Sequence, residues 1–530
     1  MCKIPLRRWI ANAAARFSGN HGAVTHQARD ATCSRQTVYD HAAKVQAALQ
    51  AEHAGGPSRD QLIQQNQALR EENARLWAWL ELTIEFPPAK QQEFAARAWA
   101  MGLSLTQISI LLALLLGAQA APARSTIHRW VRAAGIAAGK VLRGLDARCK
   151  ALVLVGCLDE IFFHGRPVLV GVEPASMVWF LGTKAEALRA STWVEPIRAW
   201  DTLGYVVADA GVILQAAIVQ VQEQRRGDGQ PPLTRGLDVF HTQREAQRVL
   251  KIIWNQVERD WEDFERAEQQ VPKVQRQGIP AHAAAGRARA ARVKLTRSMG
   301  RYDAARDAWK LAESALQVFR PDGTLNDRAW AEAQIQRALP ELSGRAWKTL
   351  RHHLQAPEML TFLDRLHEQL ARIPVSQELR QALVHLWWLR RQRPRKTTEG
   401  MVGGSGHVAH LVQQELCRKL DPNWRGWYLQ VAAVLRGTVR ASSAVECMNS
   451  VLRMHQSRHR TLNQGMLDLK RLYWNCREFR GGKRKGKCPY EHLGLDLPSS
   501  DFWELLQAEM PAALEEAKVT AKPTGQAKAA

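Results

Sequence analysis

The sequence predicts an α/β domain interrupted by a large all-α insertion and preceded by all-α helix-turn-helix modules and a short coiled coil. Three observations carry that expectation. β-prone apolar runs are confined to residues 151–240, Trp-studded helical periodicity fills 242–435, and the first 148 residues hold helical patterns broken by Gly and Pro.

Length and charge set the frame. At 530 residues the chain exceeds one ordinary core, and at roughly one domain per 150 residues it should hold three or four modules. Lys and Arg number 74 against 51 Asp and Glu, a formal charge of +23 with a pI near 10.1. Such an excess favours polyanionic partners, and its spread along the whole chain suits several contacts on an extended polymer. Nucleic acid therefore leads over a basic enzyme with no polymer substrate. Eight cysteines contain no CxxC pair and no short Cys/His cluster, which argues against structural zinc. No leader pattern opens the chain, and the longest apolar run, Ile108 to Leu116, falls far short of the roughly 20 residues that cross a bilayer. A cytoplasmic, nucleoid-associated protein with free thiols and no membrane partner is expected.

Residues 1–55 form the first module. Ala23 to Val45 has the rhythm of a helix-turn-helix, with a polar turn at Thr32 to Ser34 and a second helix opened by Arg35 and Gln36, Ser34 serving as N-cap. The N-terminal residues of such a second helix face base edges. Gly55-Gly56-Pro57-Ser58 reads as a linker. In 58–86, Leu62, Leu69 and Leu76 recur every seventh residue with Asn66, Asn73 and Leu80 between them, the pattern of a short parallel coiled coil, or of an amphipathic helix packed on its own domain. Residues 88–148 form a second helix-turn-helix candidate: a helix over Gln91 to Met101, a turn at Gly102, an apolar helix over Leu105 to Leu116, and a helix from Arg124. Arg124, Ser125, Thr126, His128, Arg129 and Arg132 are its DNA-contact candidates, with Ile127, Trp130 and Val131 left for the core. A purely structural bundle is the rival.

Character changes in 149–242. Ala151 to Leu158 reads as a strand buried on both faces and ending in Asp159. Pro167 to Glu173 and Ser176 to Leu181 continue an antiparallel meander, a helix follows over about Lys184 to Trp200, then a strand at Tyr205 to Ala208 ending in Asp209, a helix, and a strand around Leu237 to Phe240. Three strands, helix, strand, helix, strand is the order of a ribonuclease-H-like domain. Residues 243–436 form the helical insertion, whose Trp residues suit a core; Trp387-Trp388 beside the basic run Arg390 to Lys396 is the exception that could hold an unpaired base, and Gly400 to Gly406 is a break. Residues 437–505 resume the α/β domain, and 506–530 read as a disordered tail.

Two carboxylates at the ends of neighbouring strands, with a third on a later helix, are what two-metal phosphoryl transfer requires, and hard divalent ions take oxygen ligands. Asp159 and Asp209 occupy such strand ends. Asp238 also ends a strand and competes with Asp209 as the second ligand, while Glu160 competes with Asp159 but should turn to the opposite face. Glu446, Asn449 and Arg453 share one helical face, so a carboxylate, an amide and a cation could meet one DNA strand.

Several blocks resemble the insertion-sequence transposases of the DDE superfamily, in particular the subgroup with a Cys-or-Asp, two residues, His signature on the strand after the second catalytic Asp. These blocks are Cys157-Leu158-Asp159-Glu160 with Gly165-Arg166-Pro167-Val168-Leu169, Asp238-Val239-Phe240-His241, Arg440 to Arg453 around Glu446, and the ending through Tyr473-Trp474-Asn475 and Lys483 to Pro489. The likeness covers Ala151 to about Leu495. It implies Asp159, Asp209 and Glu446 as catalytic ligands of two Mg²⁺ (or Mn²⁺) ions, with Asp238, His241, Asn449 and Arg453 in support. Double-stranded DNA, both element ends and target, is the implied partner, bound by a homodimer or higher assembly. No nucleotide cofactor is implied, because no phosphate-cradling GxxxxGK loop appears. A non-catalytic regulator derived from a transposase, and a nuclease of the same fold without joining activity, remain as rivals.

Overall fold

The computed structural model describes residues 6–52, 58–83, 86–392, 405–459 and 462–519. The linker at Gly55 to Pro57, the basic residues 393–396, positions 400–404 of the Gly-rich break, and 520–530 lie outside them. The chain divides into two compact units, Met1–Pro87 and Pro88–Ala530.

The first unit contains α1 (Leu6–Phe17), α2 (Ala23–Asp30), α3 (Arg35–Glu52) and α4 (Arg59–Thr83). A short turn joins α2 to α3, and Ser34 Oγ accepts a hydrogen bond from Thr37 N at 3.0 Å, so the expected N-cap forms. Val38, Ala42, Ala13 and Ala28 make a small core. Within it, buried Asn12 meets His41 Nδ1 at 3.0 Å, and His41 stacks on Trp9. Arg35 and Gln36 stand exposed at the start of α3. Helix α4 buries none of its described side chains: Leu62, Leu69 and Leu76 are 48%, 58% and 49% exposed, and Asn66 and Asn73 are exposed beside them. Leu80 lies outside the described side chains.

The second unit opens with α5 (Pro88–Ala100), α6 (Leu105–Leu116) and α7 (Arg124–Cys149). Ser104 closes a capping box with Gln107 at the start of α6. Rather than a separate module, this segment belongs to the same unit as the sheet. Small residues explain the close packing: Ala133, Ala134, Ala137 and Ala138 of α7 are buried, and a Cβ at Gly135 would stand 2.7 Å from the backbone of Gly465 in α19 (Gln464–Cys476). Buried Arg471 of α19 reaches Asp146 of α7 at 2.5 Å.

The sheet has five strands, β1 (Val155–Phe163), β2 (Arg166–Val172), β3 (Trp179–Lys184), β4 (Tyr205–Ala208) and β5 (Thr234–Leu237), in the order β3-β2-β1-β4-β5. β1, β2 and β3 pair antiparallel, whereas β4 and β5 run parallel to β1. α8 (Ala190–Arg198) and α9 (Val212–Gly227) connect the later strands. On the outer edge, Asn475 of α19 accepts from Trp179 N at 2.8 Å and donates to Trp179 O at 3.1 Å, tying helix to strand.

Four expected boundaries move, each for a local reason. Leu152 N and Val153 N bond back to Cys149 O in the turn that closes α7, so β1 begins at Val155. β1 then runs past Asp159 to Phe163, because pairing with Arg166 to Val170 continues, and Asp159 lies within the strand rather than at its end. Lys184 pairs with Val168 in β3, which delays the next helix to Ala190. The fifth strand ends at Leu237, because the Asp238 carboxylate accepts from Phe240 N at 2.7 Å and from His241 N at 3.4 Å and so starts a helix. Asp238-Val239-Phe240-His241 therefore occupies a helix N-terminus, not a strand.

The insertion comprises α10 (Val239–Arg276), α11 (His282–Ala315), α12 (Arg328–Ala338), α13 (Lys348–Gln355), α14 (Thr361–Ala371), α15 (Gln377–Gln392), α16 (Ser405–Leu420) and α17 (Trp424–Gly437). Two cores fill it: one holds Trp309 and Trp347, the other Trp387 and Trp424. Trp387 stacks on Phe319 with centroids 5.4 Å apart and is buried, so it is a core residue rather than a platform for a base. Trp254 and Trp261, also expected inside, are 43% and 47% exposed. After α18 (Ser443–Gln456) and α19 come α20 (Pro489–Leu493), α21 (Phe502–Gln507) and α22 (Met510–Val519). α22 buries Ala513 and Ala517, so the segment expected to be disordered from residue 506 is helical as far as Val519.

Gly135 and Gly144 share α7 but differ in surroundings, since nothing lies within 4 Å of a Cβ at Gly144. Gly135→Ala should destabilise the second unit by roughly 1–3 kcal/mol through overpacking, whereas Gly144→Ala should stabilise it by about 0.5–1 kcal/mol through helix propensity. Urea denaturation of both variants checks the pair, and equal signs would refute the close approach of α7 and α19.

Candidate active site

The parallel strands align the acidic residues. Leu158 pairs with Ala208 and Ala208 with Leu237, so the next residues along, Asp159 within β1 and Asp209 and Asp238 just past the carboxyl ends of β4 and β5, stand side by side. Adjacent strands lie roughly 4.8 Å apart, which makes this a short row of carboxylates. The four residues of β4 are all buried, a run whose only stable place is a strand covered on both faces.

Glu446 arrives from the other end of the insertion. The returning chain is strung across the strand ends: Arg440 O accepts from Val239 N at 3.0 Å, Val439 O from Tyr205 OH at 3.3 Å, and Ala441 O from Cys157 Sγ at 3.7 Å. Buried Ser442 donates its hydroxyl to Asp238 Oδ2, and α18 starts at the next residue. Its first turns then deliver Glu446 and Asn449, i and i+3, to the carboxylate row.

Each carboxylate has a defined neighbour. Asn449 Nδ2 donates to Asp159 Oδ2 at 2.6 Å, and Glu160 N donates to Asp159 Oδ1 at 2.9 Å. Asp209 Oδ1 accepts from Gly211 N at 2.9 Å. His241 bridges two acids: Nδ1 lies 2.6 Å from Asp238 Oδ2 and Nε2 lies 3.2 Å from Glu446 Oε1. Arg453 Nη1 stands 3.6 Å from Glu446 Oε2. Asp238, fully enclosed and bonded to His241, Ser442 and the start of α10, is thus occupied as a cap and anchor.

Electrostatics follow from this crowding. Burial, reinforced by Asp209 and then Glu446, pushes the Asp159 carboxyl up to about 6. Burial, Asp159 and Asp209 push Glu160 up to about 7. Burial would raise Asp238 too, but the hydrogen bonds from His241 and Ser442 outweigh it and hold the carboxyl below the usual range. His241 moves up: its bond to Asp238 prevails over burial, with Glu446 and Asp209 acting in the same direction. An imidazole between two carboxylates favours the cation, in which both ring nitrogens donate.

Among the described residues, no three His, Cys, Asp or Glu side chains form a group that could hold a metal ion as they stand. Asp159 is turned to Asn449, and Glu446 to His241 and Arg453. His353, on the insertion helix α13, was not anticipated; burial, then His352, holds it below the ordinary histidine value, and it feels the charges of Asp209 and His241. A single His in a helical stretch carries no sequence signal of that placement.

The contact candidates on α7 divide by exposure: Arg124, Ser125 and Arg129 are exposed, Thr126, His128 and Arg132 half-buried, and Ile127, Trp130 and Val131 buried as expected. Burial, with Arg132 and Arg124 adding, lowers the His128 pKa. No family model matches the chain, and no curated protein matches it. Among the described residues no helix is long and apolar enough to cross a membrane.

The raised carboxyls predict a direction for stability against pH. A carboxyl with a folded pKa above its unfolded value binds its proton more tightly when folded, so its contribution is present at low pH and is lost as pH rises through the folded value. For Asp159 and Glu160 the window runs from about pH 4 to about pH 7. Asp159→Asn should leave the thermal midpoint unchanged near the lower limit and raise it near the upper one; a midpoint lowered equally at both would mean the carboxylates are not crowded.

Proposed function

We propose that this chain is a DDE-type transposase of a bacterial insertion sequence, which binds terminal inverted repeats and cuts and joins DNA at Asp159, Asp209 and Glu446. One observation carries the reading: Glu446, more than two hundred residues after Asp209, comes close enough to Asp159 to raise its carboxyl together with Asp209. The sheet order, with three antiparallel strands followed by two parallel ones, supports a ribonuclease-H-like core. The helix pairs α2–α3 and α6–α7, each joined by a turn or loop, support helix-turn-helix modules for DNA.

The donor set suits a hard divalent cation. All its ligands are oxygens, Asp159 is bonded only to an amide and a backbone N–H, and Asn449 Oδ1 is buried beside it with no hydrogen-bond partner. Asp159, Asp209 and Glu446 would hold Mg²⁺ or Mn²⁺, two ions, which when bound activate a water or 3′-hydroxyl and stabilise the leaving oxygen. The chain's own groups orient that set. Asn449 fixes the Asp159 carboxylate, and His241, held by an Asp238 carboxylate that also accepts from Ser442, fixes Glu446. Arg453, 53% exposed at its side chain, offers positive charge to a phosphate entering beside Glu446.

A DNA-binding regulator that has kept the scaffold is the second reading, favoured by the engagement of Asp159 and Glu446 with protein donors. Duplexes carrying the terminal repeats that flank the reading frame separate the two. Asp159→Asn, Asp209→Asn and Glu446→Gln should each lower Mg²⁺-dependent strand transfer at least about 100-fold while repeat binding persists. Mg²⁺ should also raise the melting midpoint near pH 8 in the wild type and not in Asp159→Asn. Binding without cleavage by the wild type would establish the regulator, and cleavage without joining of an added 3′-hydroxyl end would establish a nuclease.

Exposed leucines at heptad spacing on α4 support pairing of two protomers through that helix. Leu62→Lys with Leu69→Lys should shift the full chain toward monomer in sedimentation equilibrium, whereas an unchanged distribution would assign self-association elsewhere.

A further inference from the structure

The pleat of the sheet carries the active-site face outward to a basic cleft. Alternation along β1 puts Asp159, Ile161 and Phe163 on one face. Phe163 pairs with Arg166, and Val168, two residues on, pairs with Lys184, so Arg166 and Lys184 project from that same face. His164 and Gly165 close the hairpin between β1 and β2 with φ of 49° and 81°, the two left-handed residues of a tight two-residue turn, which fixes Arg166 opposite Phe163. Across from this corner stands α7. A cleft of about 570 Å³ opens between them, lined by His128, Arg132, Phe163, Arg166, Lys184 and Asn463 among others.

Helix α18 connects the cleft to the carboxylates. Asn449 bonds Asp159, and seven residues later Gln456 donates to Phe162 O. Seven helical residues rise about 10.5 Å and three strand residues about 10 Å, so helix and strand travel together from the site toward the cleft. Arg453 lies between the two contacts. The cleft begins about 13 Å along β1 from Asp159, the axial span of about four phosphates in one strand of a duplex. A second cleft shares Met466 with the first and carries Arg124 and Arg458. Facing acids are few: Glu186 pairs with Arg166.

We propose that this cleft, with Arg132, Arg166 and Lys184 as its cations, holds the phosphate backbone of duplex DNA, in which a phosphate about four positions along the same strand lies at the carboxylate row. This rests on the DNA reading above but not on catalysis. It also reassigns the N-terminal face of α7. Arg124, Ser125, His128, Arg129 and Arg132 fall within about 140° of one another around the helix, and three of these line clefts against the body of the unit. A helix seated that way positions a backbone rather than entering a major groove to read bases.

The test is nonspecific duplex binding by the full chain without divalent ions, followed by fluorescence anisotropy over a range of KCl. Arg166→Gln with Lys184→Gln should weaken binding to unrelated sequences alike and make the plot of log affinity against log salt shallower by about 2. Arg372→Gln with Arg418→Gln removes the same charge from exposed helices elsewhere and should leave the slope unchanged. A wild-type slope in the first pair, an equal loss in the control pair, or no duplex binding by the wild type overturns the proposal. A measurement on the wild type guards against a misfolded variant: bound duplex should protect Lys184 from acetylation, and undiminished labelling overturns the assignment. The two proposals fail separately. A shallower slope without strand transfer removes the catalytic reading alone, and strand transfer with an unchanged slope removes the cleft alone.

Discussion

Like charges in a half-dry place must be compensated, and the second unit is organised around that requirement. Parallel pairing forces Asp159, Asp209 and Asp238 into one row, and the return of α18 adds Glu446. The protein answers differently at each position. Asp238 is neutralised from within by the start of α10, Ser442 and His241, and its carboxyl falls in pKa. Asp159 receives only an amide and a backbone N–H, and its carboxyl rises. That contrast sorts the row physically: the acid with its counter-charges in place is an anchor, and the acid left short of them is where an external cation would gain most. It also favours Asp209 over Asp238 as the partner of Asp159, since Asp238 has no lone pair to spare without breaking the cap.

The anchor has a second consequence. The chain leaves the row at Asp238 and returns at Arg440, with the whole helical insertion between. Closing so long a loop costs little more entropy than closing a shorter one, because the cost grows only with the logarithm of length. What the fold must secure is the register of return, and Val239 N to Arg440 O together with Ser442 to Asp238 secures it at the same residue that holds His241. The insertion packs two cores, the first reaching back to Leu237 of β5 and the second made of helical residues, so most of its size is carried by burial among its own helices. Geometry at Glu446 is then set by the seam, not by the helices it spans.

How much of this could be read from the amino acids depends on whether the signal is local. Tyr205 to Ala208 was legible residue by residue, because a short apolar run bounded by Gly204 and Asp209 has one comfortable fate. Ser34 as a cap, the helix opening at Arg124 and the exposed heptad of α4 were legible for the same reason. The end of the apolar run predicts a strand end at Asp159, but strand length is decided by the partner, and β2 continues pairing to Arg166. In Asp238-Val239-Phe240-His241 the apolar residues between the acid and the His favour a strand, and the competing capping strength of Asp prevails. Helical spacing places Asn449 on the face of Glu446, yet its bond to Asp159 depends on contacts made across nearly three hundred residues, which no periodicity encodes. His353 and the part of Ser442 in the seam belong to the same non-local class.

The charge of the chain then acquires a structural meaning. A row of carboxylates repels a phosphate, so a protein that is to hold a polyanion there needs cations close enough to act and far enough not to collapse onto the acids. Arg453 partly does collapse, standing beside Glu446. Arg166 and Lys184 do not, because strand pairing sets Arg166 opposite Phe163, four residues farther along the same face, and Lys184 level with Ile161 but two strands away from β1. Sheet register thus separates the two signs by a fixed distance, and packing of α7 against α19 through Gly135 and Gly465 brings the second basic wall up to the first. The small residues of α7 and the tight turn at His164 and Gly165 are, on this view, parts of one electrostatic arrangement: each sets where positive charge can stand relative to the acids.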